Sequence, residues 1–186
     1  MPELPKNLGL LLLIDIQNDY FPGGAYEVPG SSAAAQAAAA LLRAFRRGGG
    51  EVVHVQHLAV QPGATFFLPG TAGAAIHEQV RPLAGEPVVV KHFPNAFRDT
   101  ELLAILRQRG AHRLVIAGMM THMCIDATTR AACDLGFECI VAGDACAAPA
   151  QAHGGIHVPA EQVHAAFLAA LSGSYARIVK GSEVAD

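Results

Sequence analysis

The sequence predicts an α/β fold: a mainly parallel sheet of six strands between two layers of helices, α/β/α. Three observations carry this. Short apolar runs without polar alternation, such as Leu10–Ile14 and Leu114–Ala117, read as strands buried on both faces. Segments with helical spacing follow them in turn. Glycine or proline punctuates most of the junctions. Strands alternating with helices in this way wind right-handedly into a parallel sheet with helices on both faces.

The elements follow in order. Leu10–Ile14 is the first strand and ends at Asp15, before a turn forced by Pro22-Gly23-Gly24. Ser31 or Ser32 caps a helix through Ala33–Arg47, which Gly48-Gly49-Gly50 ends. Glu51–His57 is the second strand. Leu58–Thr71, rich in proline and glycine and carrying Phe66 and Phe67, is a long loop. Such a loop is either a lid or pocket wall, or a surface excursion pinned by its two phenylalanines. A short helix is expected over Ala72–Val80. Pro87–Val90 is the third strand, followed at once by Lys91.

Asp99 or Thr100 caps the next helix, which runs to Arg109 with Leu102, Leu103 and Leu106 on one face. Arg113–Ala117 is the fourth strand, and a helix over Cys124–Leu135 stops at Gly136. Glu138–Ala142 is the fifth strand, with a turn at Asp144-Ala145-Cys146. Gln151–His157 reads as a polar loop. Pro159 opens a last helix carrying Val163, Ala166, Phe167, Ala170 and Leu171, and Arg177–Val179 is a short final strand. No repeat or linker divides the 186 residues, so a single domain over 1–186 is expected.

Bulk properties narrow the function classes. The formal net charge of −3 gives no electrostatic reason to expect nucleic acid or an anionic membrane as partner. Leu10–Ile14 is far too short to cross a bilayer. The opening MPELPKNLG lacks the layout of a secretory signal. Cys124, Cys133, Cys139 and Cys146 show no CxxC spacing, and read as reduced thiols of a cytoplasmic protein.

Three reactive side chains share one topological address. Asp15 ends the first strand, Lys91 ends the third, and Cys124 follows the fourth. Parallel strands all end on one side of the sheet, where ligands bind in open α/β folds. Each residue also has a plain reading: Asp15 as a turn cap, Lys91 as a solvated strand end, Cys124 as a small buried hydrophobe. The chemical reading of Cys124 is a nucleophile at the start of a helix. There the unpaired N–H groups and the dipole favour a thiolate near neutral pH.

The segments LLLIDIQNDYFPGG, VVVKHFPNAF and VIAGMMTHMCIDATTRAACDLGF, with Asp144-Ala145-Cys146, resemble the isochorismatase-like superfamily of cysteine hydrolases, which includes nicotinamidases. The resemblance runs from about Leu10 to Val179. It implies the strand order 3-2-1-4-5-6 and a catalytic triad of Asp15, Lys91 and Cys124. It also implies a cis peptide between Met119 and Met120, an oxyanion hole from the backbone N–H groups of Met120 and Cys124, and a homo-oligomer, dimer or tetramer. In that order Lys91 starts two strands from Asp15, about 10 Å of sheet.

The chain departs from nicotinamidases at their metal site, an aspartate and histidines after the second strand. Here that stretch offers His54, Gln56 and His57 and no aspartate, with the next histidine at His77. Histidines three apart on a strand point to opposite faces, so no metal and no other cofactor is expected. Isochorismatases proper cleave a vinyl ether, and those compared lack the cysteine.

The expected function is therefore metal-independent hydrolysis of a C–N bond in a small amide or carbamoyl-type compound, through a thioester on Cys124. The alternatives are a vinyl-ether hydrolase of the isochorismatase type and a non-catalytic small-molecule-binding or thiol-reactive homologue. Gln17, Tyr20, Phe21, Phe66, Phe67 and His122 are the candidates for contact with substrate, with core packing as the competing role for each.

Overall fold

The structure is a computed structural model that describes residues 9–184. Six strands form one sheet: β1 (Leu10–Ile14), β2 (Val52–His57), β3 (Val88–Lys91), β4 (Arg113–Met119), β5 (Glu138–Ala147) and, late in the chain, Arg177–Val179. Between β5 and that last strand, Gln151–His153 and Ile156–Val158 form a separate two-stranded antiparallel ribbon, β6–β7, so the last strand is β8. The sheet order is β3-β2-β1-β4-β5-β8 and every neighbouring pair is parallel. Counted within the sheet alone this is 3-2-1-4-5-6, as expected. Helices α1 (Ser31–Arg47), α2 (Leu102–Gln108), α3 (Asp126–Asp134) and α4 (Ala160–Leu171) flank it.

The unbroken apolar runs are explained by the two faces. Leu11, Leu13, Val52 and Val115 pack against α1 through Ala34, Ala38, Leu42 and Phe45. Leu10, Leu12, Ile14, Val53 and Ile116 pack on the other side with Leu102, Leu106, Ile125 and Ala132. Successive strand residues point to opposite faces, and here both faces are core. Residues 10–14 are each at most 2% exposed, and burial of each side chain contributes about 1.5–3 kcal/mol. The edge strand β3 differs: Val89 and Lys91 are buried, Val88 and Val90 exposed.

Several elements depart from expectation. No helix forms over Ala72–Val80; only Glu78–Val80 makes a 3-10 turn. The backbone before it turns at Gly73–Ala74 and then bridges at Ile76 to the segment after β1, through Asn18 N–H to Ala75 O and His77 N–H to Ile16 O. The N-cap of α1 is Gly30 in the left-handed region, so neither Ser31 nor Ser32 caps it. The N-cap of α2 is Glu101, although the Thr100 hydroxyl accepts weakly from Leu102 N–H at 3.3 Å. Strand β5 runs through the expected turn at Asp144-Ala145-Cys146, where Cys146 pairs with Gly118. The polar loop Gln151–His157 is instead the β6–β7 hairpin, turning on Gly154 and Gly155, both with positive φ. A Gly-Gly pair between two short runs is the signal that marks such a hairpin.

Gly118 sets the approach of β4 to β1. Its φ is +134°, and a Cβ there would lie 1.9 Å from the Ile14 carbonyl oxygen. The β4–β5 register shifts at the same place. Gly118→Ala is expected to destabilise the fold by about 2–3 kcal/mol, because backbone rather than a flexible side chain must give way. Thermal denaturation of the variant measures this, and an unchanged midpoint would contradict it.

Candidate active site

The site sits where β1, β2 and β3 end. Ile14 is the last residue of β1, and Asp15 breaks from the strand with φ +52°. Lys91 is the last residue of β3 and pairs in register with His57, the last of β2. Beyond β4, the Met119–Met120 peptide is cis, and Thr121–Ile125 forms a π-helical turn before α3 begins. Cys124 therefore lies in that π turn and not in the first turn of the α-helix. Such turns within helices often mark functional positions.

These elements bring Asp15, Lys91 and Cys124 into contact. Lys91 Nζ lies 2.7 Å from Asp15 Oδ2 and donates to Cys124 Sγ at 3.2 Å. It also lies 2.9 Å from His57 Nδ1. The two-strand separation is spanned because the lysine reaches over the end of β2, where His57 meets it. Asp15 and Lys91 are fully buried, whereas Cys124 keeps 5% exposure. All three residues are therefore buried.

Electrostatics set the resting protonation states. Burial pulls the Lys91 ammonium down, but Asp15 and then Cys124 lift it further, so it stays charged. The Cys124 thiol is pushed well up, first by burial and then by the Asp15 charge, against the smaller opposing pull of Lys91. This direction runs against the helix-dipole argument, which leaves out the cost of placing a second anion beside a buried carboxylate. Asp15 Oδ1 is buried without a hydrogen-bond partner, so the carboxylate has a free oxygen on which to receive a proton. Burial and then Lys91 lower His57 to about 4, so its ring is neutral.

Asp15, His57 and Cys124 offer three ligand atoms within 4.8 Å of one another, the one such cluster of His, Cys, Asp and Glu among the described residues. The Lys91 ammonium contacts all three. The cluster thus already encloses a cation. His54 does not join it, since its Nε2 lies 2.9 Å from Glu86 Oε2, and Glu86 pairs in turn with Arg46 at 2.7 Å.

The residues after Asp15 have roles that sequence reasoning missed. The Gln17 side chain donates to His57 O at 2.9 Å and to Ala74 O at 2.7 Å, and accepts from His57 N–H at 2.7 Å. Fully buried and fully bonded, it continues the ladder of β1 with a side chain and has no group left for a substrate. Asn18 Nδ2 donates to Ala72 O, while the Asp19 carboxylate accepts from the N–H groups of Phe67 and Ala25. Gln17, Asn18 and Asp19 together fasten the long loop to the end of the sheet.

The aromatic candidates divide. Tyr20 and Phe67 are buried with ring centroids 4.6 Å apart, and Phe67 lies 5.9 Å from the His57 ring. Phe66 is half-buried and stacks on Tyr26. Phe67 is thus an anchor that pins the loop. Burial, then Cys124 and Asp15, hold the Tyr20 phenol well above its ordinary range. Phe21 stacks on His77 at 3.7 Å, beside a cavity of about 620 Å³ that none of Asp15, Lys91 and Cys124 lines. His122 sits edge-on to Phe167 at 5.8 Å, and its Nδ1 has no hydrogen-bond partner.

The family model for the isochorismatase domain matches residues 9–180. The chain belongs to the isochorismatase family. This family comprises hydrolases and includes amidohydrolases. A Bacillus subtilis member, the uncharacterized isochorismatase family protein YddQ, is 52% identical over 168 residues, 90% of this chain and 93% of that protein. An isochorismatase-hydrolase structure from Oleispira antarctica superposes with a TM-score of 0.93 at 52% identity, covering 98% of each chain. The maleamate amidohydrolase of Pseudomonas putida is 36% identical over 145 residues, 70% of this chain and 68% of that enzyme.

The raised Cys124 thiol gives a direct test. Alkylation of Cys124 by iodoacetamide, followed by peptide mass mapping, is expected to accelerate from about pH 7 to about pH 10 without levelling off. A plateau below about pH 8 would show that Lys91 outweighs burial and Asp15.

Proposed function

We propose that this isochorismatase-family chain is a cysteine hydrolase that cleaves the C–N bond of a small amide or carbamoyl-type compound through a thioester. The observation that carries the reading is the Lys91 ammonium held between a buried carboxylate at 2.7 Å and a cysteine sulfur at 3.2 Å. A nucleophile, a proton acceptor and a charge that steadies both are what covalent acyl transfer requires.

In this reading Asp15 takes the Cys124 proton as Sγ attacks the carbonyl carbon. The carbonyl π pair moves onto oxygen, and the backbone N–H groups of Met120 and Cys124 hold the resulting oxyanion. Collapse breaks the C–N bond, and Asp15 returns its proton to the departing amine or ammonia. Water then attacks the thioester, giving its proton to Asp15, and the tetrahedral adduct releases a carboxylic acid. The proton returns to the sulfur. Lys91 stays charged throughout, which lowers the cost of the thiolate and keeps Asp15 oriented. The amidohydrolase among the relatives supports a C–N bond as the target.

The test is a screen of small amides and carbamoyl compounds for ammonia release, followed by mass analysis of trapped enzyme for an acyl adduct on Cys124. Cys124→Ala is expected to lower turnover at least about 1,000-fold, and Asp15→Asn about 100- to 10,000-fold. Full turnover by Cys124→Ala, or by enzyme alkylated at Cys124, would overturn the thioester route and favour a vinyl-ether hydrolase.

A further inference from the structure

The Lys91 ammonium carries three N–H bonds and no acceptor. It is fully buried, so each N–H needs a partner within the protein. It has three: Asp15 Oδ2 at 2.7 Å, Cys124 Sγ at 3.2 Å and His57 Nδ1 at 2.9 Å. Two of these belong to the proposed chemistry. The third belongs to a residue that the mechanism leaves without a task.

We propose that His57 is a positioning residue: as a neutral acceptor it takes the third N–H of Lys91 and so aims the other two at Asp15 and Cys124. This rests on the cysteine-hydrolase reading above and assigns a fourth member to that site. The structure is built for it. An ammonium can donate to Nδ1 only if that nitrogen is unprotonated, which fixes the ring as the Nε2–H tautomer. The groups facing the ring are Lys91, Asp15 and His92, with Cys124 in the same cluster. The His57 backbone is clamped on both its N–H and its C=O by the buried Gln17 amide, at 2.7 and 2.9 Å. Phe67 borders the ring at 5.9 Å. Gln17 thus fixes His57, and His57 fixes Lys91.

Loss of the acceptor has a directional consequence. An ammonium with one unpaired N–H in a buried site is driven toward the neutral amine. The charge that helps form the thiolate goes with it. His57→Leu, which has similar bulk and no acceptor, is therefore expected to slow iodoacetamide alkylation of Cys124 about tenfold at about pH 8. His57→Asn places an amide oxygen near the position of Nδ1 and is expected to recover the rate to within about threefold of the unsubstituted protein.

Wild-type rates in a folded His57→Leu protein, or equal slowing by Leu and Asn, would overturn the proposal. If His57→Leu does not fold, imidazole ¹⁵N NMR of the unsubstituted protein decides. Nδ1 is expected unprotonated and Nε2 protonated at pH 7, whereas the opposite tautomer or an imidazolium would refute it. Neither measurement uses a substrate, so a negative amide screen leaves this result standing, and failure here leaves the hydrolase reading intact.

Discussion

A lysine ammonium enclosed by protein on every side is the constraint around which the site is arranged. A lone buried charge of this kind is expensive, and it persists only when paired and fully hydrogen-bonded. Lys91 meets both conditions with one carboxylate, one imidazole nitrogen and one sulfur. The lysine and its three partners come from four separate places: the residue after β1, the end of β2, the end of β3 and the turn after β4. A parallel sheet is suited to this because it delivers several strand ends to one rim. Lys91 keeps its charge, while burial holds His57 and Cys124 neutral. A thiolate at rest would add an anion beside Asp15, and burial opposes that.

The same requirement explains the segment that follows Asp15. The carboxylate has to leave the strand to meet the lysine, so β1 cannot continue its backbone ladder there. Gln17 replaces the missing rung with its side-chain amide and bonds both backbone groups of His57. Asn18 and Asp19 extend the same device to Ala72 and Phe67. Gly73 packs so tightly on Asp19 that a Cβ would lie 1.9 Å from its Oδ1. The long loop, which also carries hydrogen bonds of its own, is thus tied to the sheet by three consecutive polar side chains, two of them buried. One short stretch supplies the proposed base, the clamp on the histidine and the anchor of the long loop.

Much of this was legible in the residues. Continuous apolar runs marked the strands whose two faces are both core, but the same reading of Pro87–Val90 as buried fails at the sheet edge, where Val88 and Val90 are exposed. The shared rim of Asp15, Lys91 and Cys124 followed from parallel strands alone. Other features depended on pairings that periodicity does not carry. Gln17 reads as a polar residue near a pocket, and only tertiary contact shows its amide spent on backbone. His57 was weighed only together with His54, as a metal pair that strand geometry disfavours, whereas its partner is a lysine on the neighbouring strand. The stretch before Val80 has enough alanine to look helical, yet its backbone pairs with Ile16 and Asn18. Local propensity lost there to available edge hydrogen bonds.

The state of the thiol also separates kinds of protein that share such a cysteine. Redox-sensing and broadly thiol-reactive proteins depend on an exposed, low-pKa thiolate, since oxidation follows thiolate character and access. Cys124 has the opposite setting: nearly buried, its thiol pushed up, its proton retained beside a carboxylate with one oxygen free. Such a sulfur is quiet toward solutes that offer it no electrophilic carbon. In the proposed mechanism, attack and proton transfer to Asp15 proceed together, which spares the site a buried pair of anions. That logic favours a hydrolytic nucleophile over a reactive thiol. Three fixed partners would serve the same mechanism, by keeping the lysine charged and stationary while the proton moves from sulfur to carboxylate and back.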